Sequence, residues 1–308
     1  GKPMGEMLRE YWTPALRGAM LDAGGKPERV RLLGENFVAF RGEDGSVGFI
    51  DERCPHRSAS MALARNEDNA LRCIFHGWKV SADGKILDAP CEPANTRDAF
   101  AKTVKVRAFP AREAGGMVWV YLGKRATPPR FPTFDFNTLP ESHVFARRAI
   151  THYNYLQGIE AHIDASHLGV LHSGWVNQAG RTKDLKLAVA NVAPKMELDV
   201  VPYGLREGAV RDQGDGTNYS RIRQLCLPYF TFIPNSGGRP YSARATVPID
   251  DDWDAEWYID YDLDKPLTRE FLEFSRRGRG EDPDNFASTL GDVGNIWHQD
   301  RQAMKTGH

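Results

Sequence analysis

Long apolar runs are missing from this 308-residue sequence, and so is a strong charge of either sign. No stretch approaches the roughly 20 apolar residues that a membrane-spanning helix needs. Residues 1–16 lack the apolar core of a signal peptide. A formal net charge of −1 provides no basic field for nucleic acid. These absences predict a cytoplasmic protein whose partners include neither a membrane nor a nucleic acid.

Cysteine is also scarce, with four residues at positions 54, 73, 91 and 226. Cys54 and Cys73 are each followed by a histidine within three residues, so a metal is a better partner for them than a disulfide. A Cys54–Cys73 disulfide in a secreted domain is the alternative, but it leaves both histidines unexplained. Cys91 and Cys226 have no such neighbours and are expected to be plain thiols.

The length predicts two domains, 1–130 and 131–308. The first begins with a short helix over 3–12 and continues as a small antiparallel β domain over about 30–123. Its hairpins turn at glycine-containing segments, namely 41–45, 82–84 and 113–116, the last of them after a strand over 103–109. Residues 124–142 are proline-rich and predict a linker.

The second domain is expected to combine a sheet with helices. The helical segments are 153–171, 266–277 with Thr268 as N-cap, and the tail 295–308. The strands are 195–211, 218–235, 239–250 and 255–263. In the last strand, apolar and polar residues alternate, which predicts a half-buried strand with Trp257, Ile259, Tyr261 and Leu263 inward and Glu256, Tyr258, Asp260 and Asp262 outward. The whole chain is therefore predicted to be α+β.

Two Cys–His pairs lie in the first domain, as C54-P-H56-R and C73-I-F-H76-G-W, with sixteen residues between them. Each pair offers one thiolate and one imidazole. Four such ligands from two loops suit a [2Fe–2S] cluster whose imidazole-ligated iron has a raised reduction potential. A structural zinc site is the alternative, although zinc sites more often pair Cys with Cys and His with His.

A second metal-like set lies in segment 154–172, where Asp164, His167 and His172 form D-x2-H-x4-H. On a helix, Asp164 and His167 would share one face, and His172 would return to that side. Two imidazoles and a carboxylate suit a mononuclear iron with positions open for dioxygen. His152 and His162 have no matching partners and are expected to be surface or core histidines.

These motifs carry a family resemblance. The sequence pattern CPHR…CxxHGW resembles the Rieske cluster motif. The pattern N-x5-E-x3-D-x2-H-x4-H resembles the iron-binding segment of Rieske non-haem iron oxygenases. The likeness covers most of residues 1–175 and is nearest to the phthalate-dioxygenase-like group. It implies an N-terminal antiparallel β Rieske domain and a C-terminal catalytic domain with a helix-covered antiparallel sheet. The implied activity is aromatic ring hydroxylation by a dioxygenase, or O-demethylation by a monooxygenase.

The resemblance also implies roles for the second set. His167 and His172 would bind Fe(II), with dioxygen as co-substrate. Asp164 would link an iron-bound histidine to a cluster histidine on the neighbouring subunit of a head-to-tail homotrimer. The family's third ligand is a carboxylate farther along the chain and is expected beyond residue 308, the second domain being cut short. Asp300, and after it Asp292, are the candidates within the sequence.

Electron supply and substrate are the remaining questions. The chain has no GxGxxG motif and no all-Cys ferredoxin run, so NAD(P)H and flavin are expected on a separate reductase. An arginine could clamp the carboxylate of an aromatic acid; Arg206 and Arg244 are selected from a set that also holds Arg211, Arg221 and Arg223. A solvated strand face is the alternative for each. Two other functions stay open, a Rieske-type electron carrier without its own catalysis and a zinc-stapled binding module.

Overall fold

The computed structural model describes residues 2–178, 183–234, 240–277, 282–285 and 293–305. The chain divides into two compact units, Gly1–Thr138 and Leu139–His308. No helix in these described ranges is both long and apolar enough to cross a bilayer.

The first unit is built of short strands. They are β1 Thr13–Arg17, β2 Glu28–Leu32, β3 Glu35–Arg41, β4 Val47–Asp51, β5 Arg65–Glu67, β6 Ala70–Arg72, β7 Lys79–Ser81, β8 Ile86–Asp88, β9 Ala111–Ala114 and β10 Met117–Val120. Its helices are α1 Pro3–Arg9 and α2 Arg97–Ala101. The strands form three antiparallel sheets, with the orders β1-β10-β9, β2-β3-β4 and β5-β6-β7-β8.

All three predicted hairpin turns are confirmed, because β3 pairs with β4, β7 with β8 and β9 with β10. The strand predicted over 103–109 is wrong. Lys105 pairs only with Lys85, which lies just before β8, and Ala108 pairs only with Ile50 of β4, so the segment makes two isolated bridges. Its alternating pattern reflects the burial of Val106 in the core and not a ladder.

The core of the first unit includes the two cysteines of the Cys–His pairs. Cys54, Cys73 and Trp78 are buried in one cluster with apolar side chains of the β3–β4 and β7–β8 hairpins, such as Phe40 and Val80. The cysteines are therefore held by packing, while the residues that follow each of them run out to the surface.

The second unit contains strands β11 Val144–Thr151, β12 Lys195–Val201, β13 Gly204–Asp212, β14 Asn218–Cys226, β15 Phe230–Phe232, β16 Tyr241–Pro248 and β17 Asp254–Tyr261. Its helices are α3 Tyr155–Ile163, α4 His167–Leu171, α5 Ser173–Gln178, α6 Lys183–Ala190, α7 Arg269–Arg277 and α8 Arg301–Lys305. The strands form one antiparallel sheet in the order β11-β17-β16-β15-β14-β13-β12. Helix α3 packs on β14, β15 and β16, so the predicted α+β class and the helix-covered sheet are confirmed. Thr268 caps α7 as predicted, accepting from the N–H of Phe271.

The prediction of a half-buried strand over 255–263 is wrong, because both faces of β17 are buried. On the polar face, Glu256 and Asp260 are 3% and 5% exposed. His162 of α3 contacts Glu256, while Arg147 of β11 binds Asp260 and the carbonyl of Ser275 in α7. Helix α3 supplies a partner to Glu256 and strand β11 supplies one to Asp260. Alternation in a sequence cannot distinguish such a buried, paired face from one exposed to water.

Asp254 makes this face sensitive to pH. Its side chain is fully buried, and burial raises its pKa to about 7, with the nearby Glu256 adding to the shift. The folded state therefore holds a proton between about pH 4 and 7 that the unfolded state has released. The free energy of unfolding should fall as the pH rises through this window, by at most about 4 kcal/mol.

Asp254→Asn should remove that dependence, since asparagine keeps the acceptor for Thr151 without the charge. We expect the variant to be more stable than the wild type at pH 8 and similar to it at pH 4. Urea unfolding at both pH values measures this. An unchanged difference between the two pH values in the variant would show that Asp254 does not titrate in this window.

Candidate metal centres

The two Cys–His loops have the same backbone geometry. Each cysteine carbonyl accepts from the N–H four residues later, Ser58 N at 2.9 Å for Cys54 and Gly77 N at 3.0 Å for Cys73. Each cysteine N–H donates to the carbonyl five residues later, at 2.9 and 2.8 Å. The residue at the fourth position has a left-handed φ, +57° at Ser58 and +74° at Gly77. The two turns therefore hold their cysteines in equivalent backbone positions, while the histidine follows the cysteine by two residues in the first loop and by three in the second.

The loops bring like donors together. Both thiols are buried, at 2% and 3% exposure for Cys54 and Cys73, and they are close enough to hydrogen-bond. The Nδ1 atoms of His56 and His76 lie 3.1 Å apart. The ring of His56 stacks on that of Trp78, with centroids 5.1 Å apart and an interplanar angle of 2°. Packing thus fixes one imidazole in an orientation where its Nδ1 faces the other.

Electrostatics at the loops suit metal ligands. Burial raises the pKa of the Cys54 thiol to about 11, and the neighbouring Cys73 adds to the shift. Partial burial, followed by the charges of His56 and Arg57, lowers the pKa of His76. Near neutral pH the thiol is therefore protonated and the imidazole neutral. A bound metal would remove the thiol proton and use the imidazole lone pair.

The pairing of like donors distinguishes a cluster from zinc. A single zinc ion needs all its donors around one point. Within the described ranges, no group of three or more His, Cys, Asp or Glu side chains is drawn together closely enough for one ion. A [2Fe–2S] cluster needs two donors per iron, thiols on one and imidazoles on the other. The observed pairs fit that cluster better than a zinc ion.

All four cysteines are free thiols, so the disulfide alternative is wrong. Cys91 is exposed, with its Sγ 3.6 Å from the carbonyl oxygen of His76, and Cys226 is half-buried. Neither forms a disulfide.

The sequence pattern predicts one continuous helix over 153–171, and this prediction is wrong. The segment forms two helices, α3 and α4, with a break between them. Helix α3 ends at Ile163, and Asp164 adopts an extended conformation with φ −76° and ψ 115°. Its carboxylate Oδ1 accepts the backbone N–H of Ser166 at 2.7 Å, and α4 begins at His167. A side chain that binds the backbone two residues later competes with helical hydrogen bonds, which explains the interruption.

Asp164 and His167 are nevertheless in contact. His167 Nδ1 lies 3.1 Å from Asp164 Oδ2. Donation from Nδ1 to the carboxylate leaves Nε2 with a lone pair for a metal, the usual arrangement of a metal-bound histidine and its carboxylate partner. Burial opposes ionisation of Asp164, but hydrogen bonds from Ser166 and His167 outweigh it, and its pKa lies below the ordinary value. The carboxylate is therefore charged at neutral pH.

His172 lies beside His167, with ring centroids 5.2 Å apart at an angle of 73°. Burial lowers the pKa of His172, and the neighbouring His167 lowers it further. The two rings are thus close enough for a nitrogen of each to approach one metal ion. In the part of the chain that the structure describes, no carboxylate joins them as a third ligand. Asp300 instead caps α8 by accepting the N–H groups of Gln302 and Ala303, and Asp292 lies outside the described residues.

The candidate arginines fall into three environments. Arg206 is exposed and pairs with Asp199 at 2.8 Å, on the sheet face opposite to Arg211. Buried on the helix-facing side are Arg211, Arg221 and Arg223, of which Arg223 binds Glu207 at 3.1 Å. Arg244 is half-buried over the ring of Tyr258, 3.9 Å from its centroid. The structure therefore does not place Arg206 with the others.

One polar cluster of the second unit was not predicted from the sequence. His162 Nε2 lies 2.6 Å from Glu256 Oε1, and its Nδ1 lies 3.0 Å from Thr231 Oγ1. His162 is thus a core histidine, one of the two possibilities expected for it. Its partners come from strands about 70 and 95 residues farther along the chain, so nothing local in the sequence identifies them.

Taken together, the β unit with its thiol and imidazole pairs and the sheet unit with its Asp–His–His segment define an iron-dependent oxidoreductase of the Rieske type. Comparison with known families agrees. Residues 11–110 match the Rieske [2Fe-2S] domain, and residues 120–308 match the LigXa C-terminal domain like family. The chain belongs to the Rieske non-haem iron aromatic oxygenases.

Several relatives are oxygenase subunits. The chain is 35% identical to the 3-chlorobenzoate-3,4-dioxygenase oxygenase subunit of Comamonas testosteroni, over 100% of this chain and 74% of that protein. It is 34% identical to the phthalate 4,5-dioxygenase oxygenase subunit of Pseudomonas putida, over 99% and 72%. The terminal oxygenase of carbazole 1,9a-dioxygenase from Nocardioides aromaticivorans IC177 shares the fold, with a TM-score of 0.68, 18% identity and coverage of 97% and 87%.

Family membership supplies the cofactors. The chain is an oxygenase that uses dioxygen, a Rieske [2Fe–2S] cluster and a mononuclear iron. The donor pairs described above fit both groups, with the loops of the first unit suited to the cluster and the imidazoles of the second unit suited to the single iron.

Proposed function

We propose that this chain is the oxygenase component of an aromatic ring-hydroxylating dioxygenase or O-demethylating monooxygenase that acts on an aromatic carboxylic acid. Its electrons come from a separate NAD(P)H-dependent reductase containing flavin and an iron–sulfur centre. The observation that carries the proposal is the contact between Asp164 and His167 beside His172. A charged carboxylate that orients one of two adjacent imidazoles is an arrangement for binding a reactive metal.

The proposed ligands follow from the donor pairs. Cys54 and Cys73 hold one iron of the cluster, and His56 and His76 hold the other, through the Nδ1 atoms that approach to 3.1 Å. His167 and His172 hold the mononuclear iron. When bound, the cluster supplies single electrons and the mononuclear iron supplies the position at which dioxygen reacts.

The chain's own residues prepare these sites. Asp164 keeps the proton of His167 on Nδ1, so Nε2 stays available to the metal. Trp78 holds the His56 ring in place by stacking. Burial of the thiols keeps water from the sulfur side of the cluster, while the imidazole side lies at the surface.

Exposure supports a homotrimer in which the cluster of one chain serves the iron of the next. The Asp164 side chain is 47% exposed, and His56 is exposed as well. Both groups can therefore reach a neighbouring molecule. In the proposed assembly, the Asp164 carboxylate links His167 to a cluster imidazole of the adjacent subunit by hydrogen bonds.

The substrate carboxylate is assigned to Arg244. Its strand neighbour Thr231 contacts His162 of α3, so Arg244 lies on the sheet face that this helix covers. Arg206, the other arginine selected from the sequence, is not retained because it pairs with Asp199 on the opposite face. A guanidinium in a partly buried position is suited to bidentate binding of a carboxylate.

Product analysis tests the substrate class. Benzoates, phthalates and methoxylated aromatic acids are each offered beside the matching amide, with a reductase and isotopically labelled dioxygen. We expect labelled product from acids and little from amides. Arg244→Met should lower kcat/KM for the acid by about 10- to 100-fold, as for a lost charged hydrogen bond. Arg206→Met is the matched control and should have little effect. Equal turnover of acids and amides would contradict the assignment.

A further inference from the structure

The backbone on both sides of Asp164 is tied to the sheet by buried polar side chains. Arg211 of β13 donates from Nη2 to the carbonyl oxygen of Ala165 at 2.7 Å, and from Nε to that of Asn191 at 3.2 Å. On the other side, His162 lies between Glu256 and Thr231. Residue 162 is thus anchored by two strands and residue 165 by a third, with Asp164 between them.

This segment has little regular structure of its own. Helix α3 ends one residue before Asp164, and α4 has only five residues, from His167 to Leu171. Such a short helix is not stable by itself, because nucleation costs more than so few hydrogen bonds return. The side-chain anchors therefore decide where the Asp164 carboxylate lies.

Arg211 is an unfavourable choice if only stability matters. Its side chain is fully buried, and burial followed by the charges of Arg223 and Arg221 lowers its pKa. Glu207 is the carboxylate that offsets this positive charge. The Nη1 atom of Arg211 has no hydrogen-bond partner among the residues that the structure describes. The burial of a charged side chain is weak evidence that it serves only stability. A charged donor, however, binds a carbonyl oxygen more strongly than a neutral donor does, which suits Arg211 to holding Ala165 in place.

We infer that Arg211 and the His162–Glu256 pair are positioning residues that fix the backbone around Asp164 and so keep its carboxylate on His167. The inference rests on the proposed role of Asp164 as the link to the cluster of the next subunit. It adds that three distant strands, β13, β15 and β17, set the geometry of that link.

The test uses Arg211→Met, Arg211→Lys and a matched control, Arg147→Met. Arg147 is also buried, at 5% exposure, and its hydrogen bonds to described residues go to Ser275 and Asp260. Two readouts are measured on the cofactor-loaded enzyme, with iron content checked. One is amide hydrogen exchange over 160–170; the other is the rate at which the reduced cluster is reoxidised when substrate and dioxygen are added.

Arg211→Met should speed exchange over 160–170 and slow reoxidation on the order of 100-fold, the size expected for a displacement of about 1 Å. Iron content and KM should not change. Arg211→Lys should restore part of the rate, because lysine can still donate one hydrogen bond to Ala165. Arg147→Met should leave both readouts unchanged. Normal exchange and reoxidation in a folded Arg211→Met protein would overturn the inference.

Should Arg211→Met fail to fold, Thr231→Val tests the other anchor without altering charge. It should shift both readouts in the same direction by a smaller factor, and normal values would overturn the inference. Asp164→Asn separates the two proposals. If reoxidation is slow in Asp164→Asn but normal in Arg211→Met, Asp164 keeps its proposed bridging role and Arg211 loses its positioning role. Normal reoxidation in Asp164→Asn removes both.

Discussion

Asp164→Asn is expected to lower turnover by about 100-fold while both metal sites stay filled. The carboxylate accepts from His167 Nδ1 and from the N–H of Ser166, and it is charged at neutral pH. Asparagine keeps the shape but loses the charge, so it no longer fixes the proton of His167 or accepts strongly from a second imidazole. Steady-state turnover and iron per chain measure the two parts of this expectation.

Asp215→Asn is the matched control. Asp215 also accepts the N–H of the residue two positions later, Thr217, and is exposed, but it contacts no histidine among the residues that the structure describes. The control should keep wild-type turnover and iron content. Normal turnover in Asp164→Asn would contradict the bridging role. Loss of iron from that variant would assign Asp164 to metal retention instead.

The Cys–His loops were the most predictable part of this chain. Within each loop, the cysteine and the histidine lie no more than three residues apart, so the local sequence determines most of the loop geometry. Gly77, with its left-handed φ of +74°, is a glycine where one is expected. Ser58 takes the equivalent conformation without being glycine, and only the structure reveals that the two turns match.

The interruption of the helix at Asp164 was not predicted, although the sequence holds a signal for it. No proline or glycine stands at 164–166, so the apolar pattern favours one helix through 153–171. Asp164 and Ser166, however, are residues that bind nearby backbone and favour turns over helix interiors. An aspartate whose side chain can reach the N–H two residues later is therefore a reason to end the helix there.

The charged face of the large sheet could not be predicted from one sequence. Glu256 alternates with apolar neighbours, as an exposed residue would, but is buried against His162. Whether such a face meets water or a helix depends on packing between segments about 95 residues apart. The same long-range packing places Arg211 on Ala165, and no local pattern carries that information.

The second large effect is expected if, as proposed, electrons pass between neighbouring subunits. His76→Ala removes a proposed cluster ligand, and His167→Ala removes a proposed ligand of the mononuclear iron. Each variant alone should be inactive. Both residues are only half-buried, so we expect the two proteins to fold and to assemble. The His76→Ala chains then keep a working iron site, and the His167→Ala chains keep a working cluster.

Assembly of the two variants in equal amounts should restore activity. In a head-to-tail ring, half of the subunits keep the iron site, and half of these have a neighbour with an intact cluster. Turnover per chain should therefore reach about one quarter of the wild-type value. Wild type assembled with the His76→Ala/His167→Ala double variant should also give about one quarter if transfer crosses subunits, but about one half if it stays within one chain.

The turnover of enzyme assembled from equal amounts of His76→Ala and His167→Ala chains is thus the most direct test that a cluster on one chain serves the iron held by His167 and His172 on the next. The account predicts recovery to about one quarter of wild-type turnover from two inactive parents. Assemblies that contain both chains, carry their expected iron and remain inactive would contradict it.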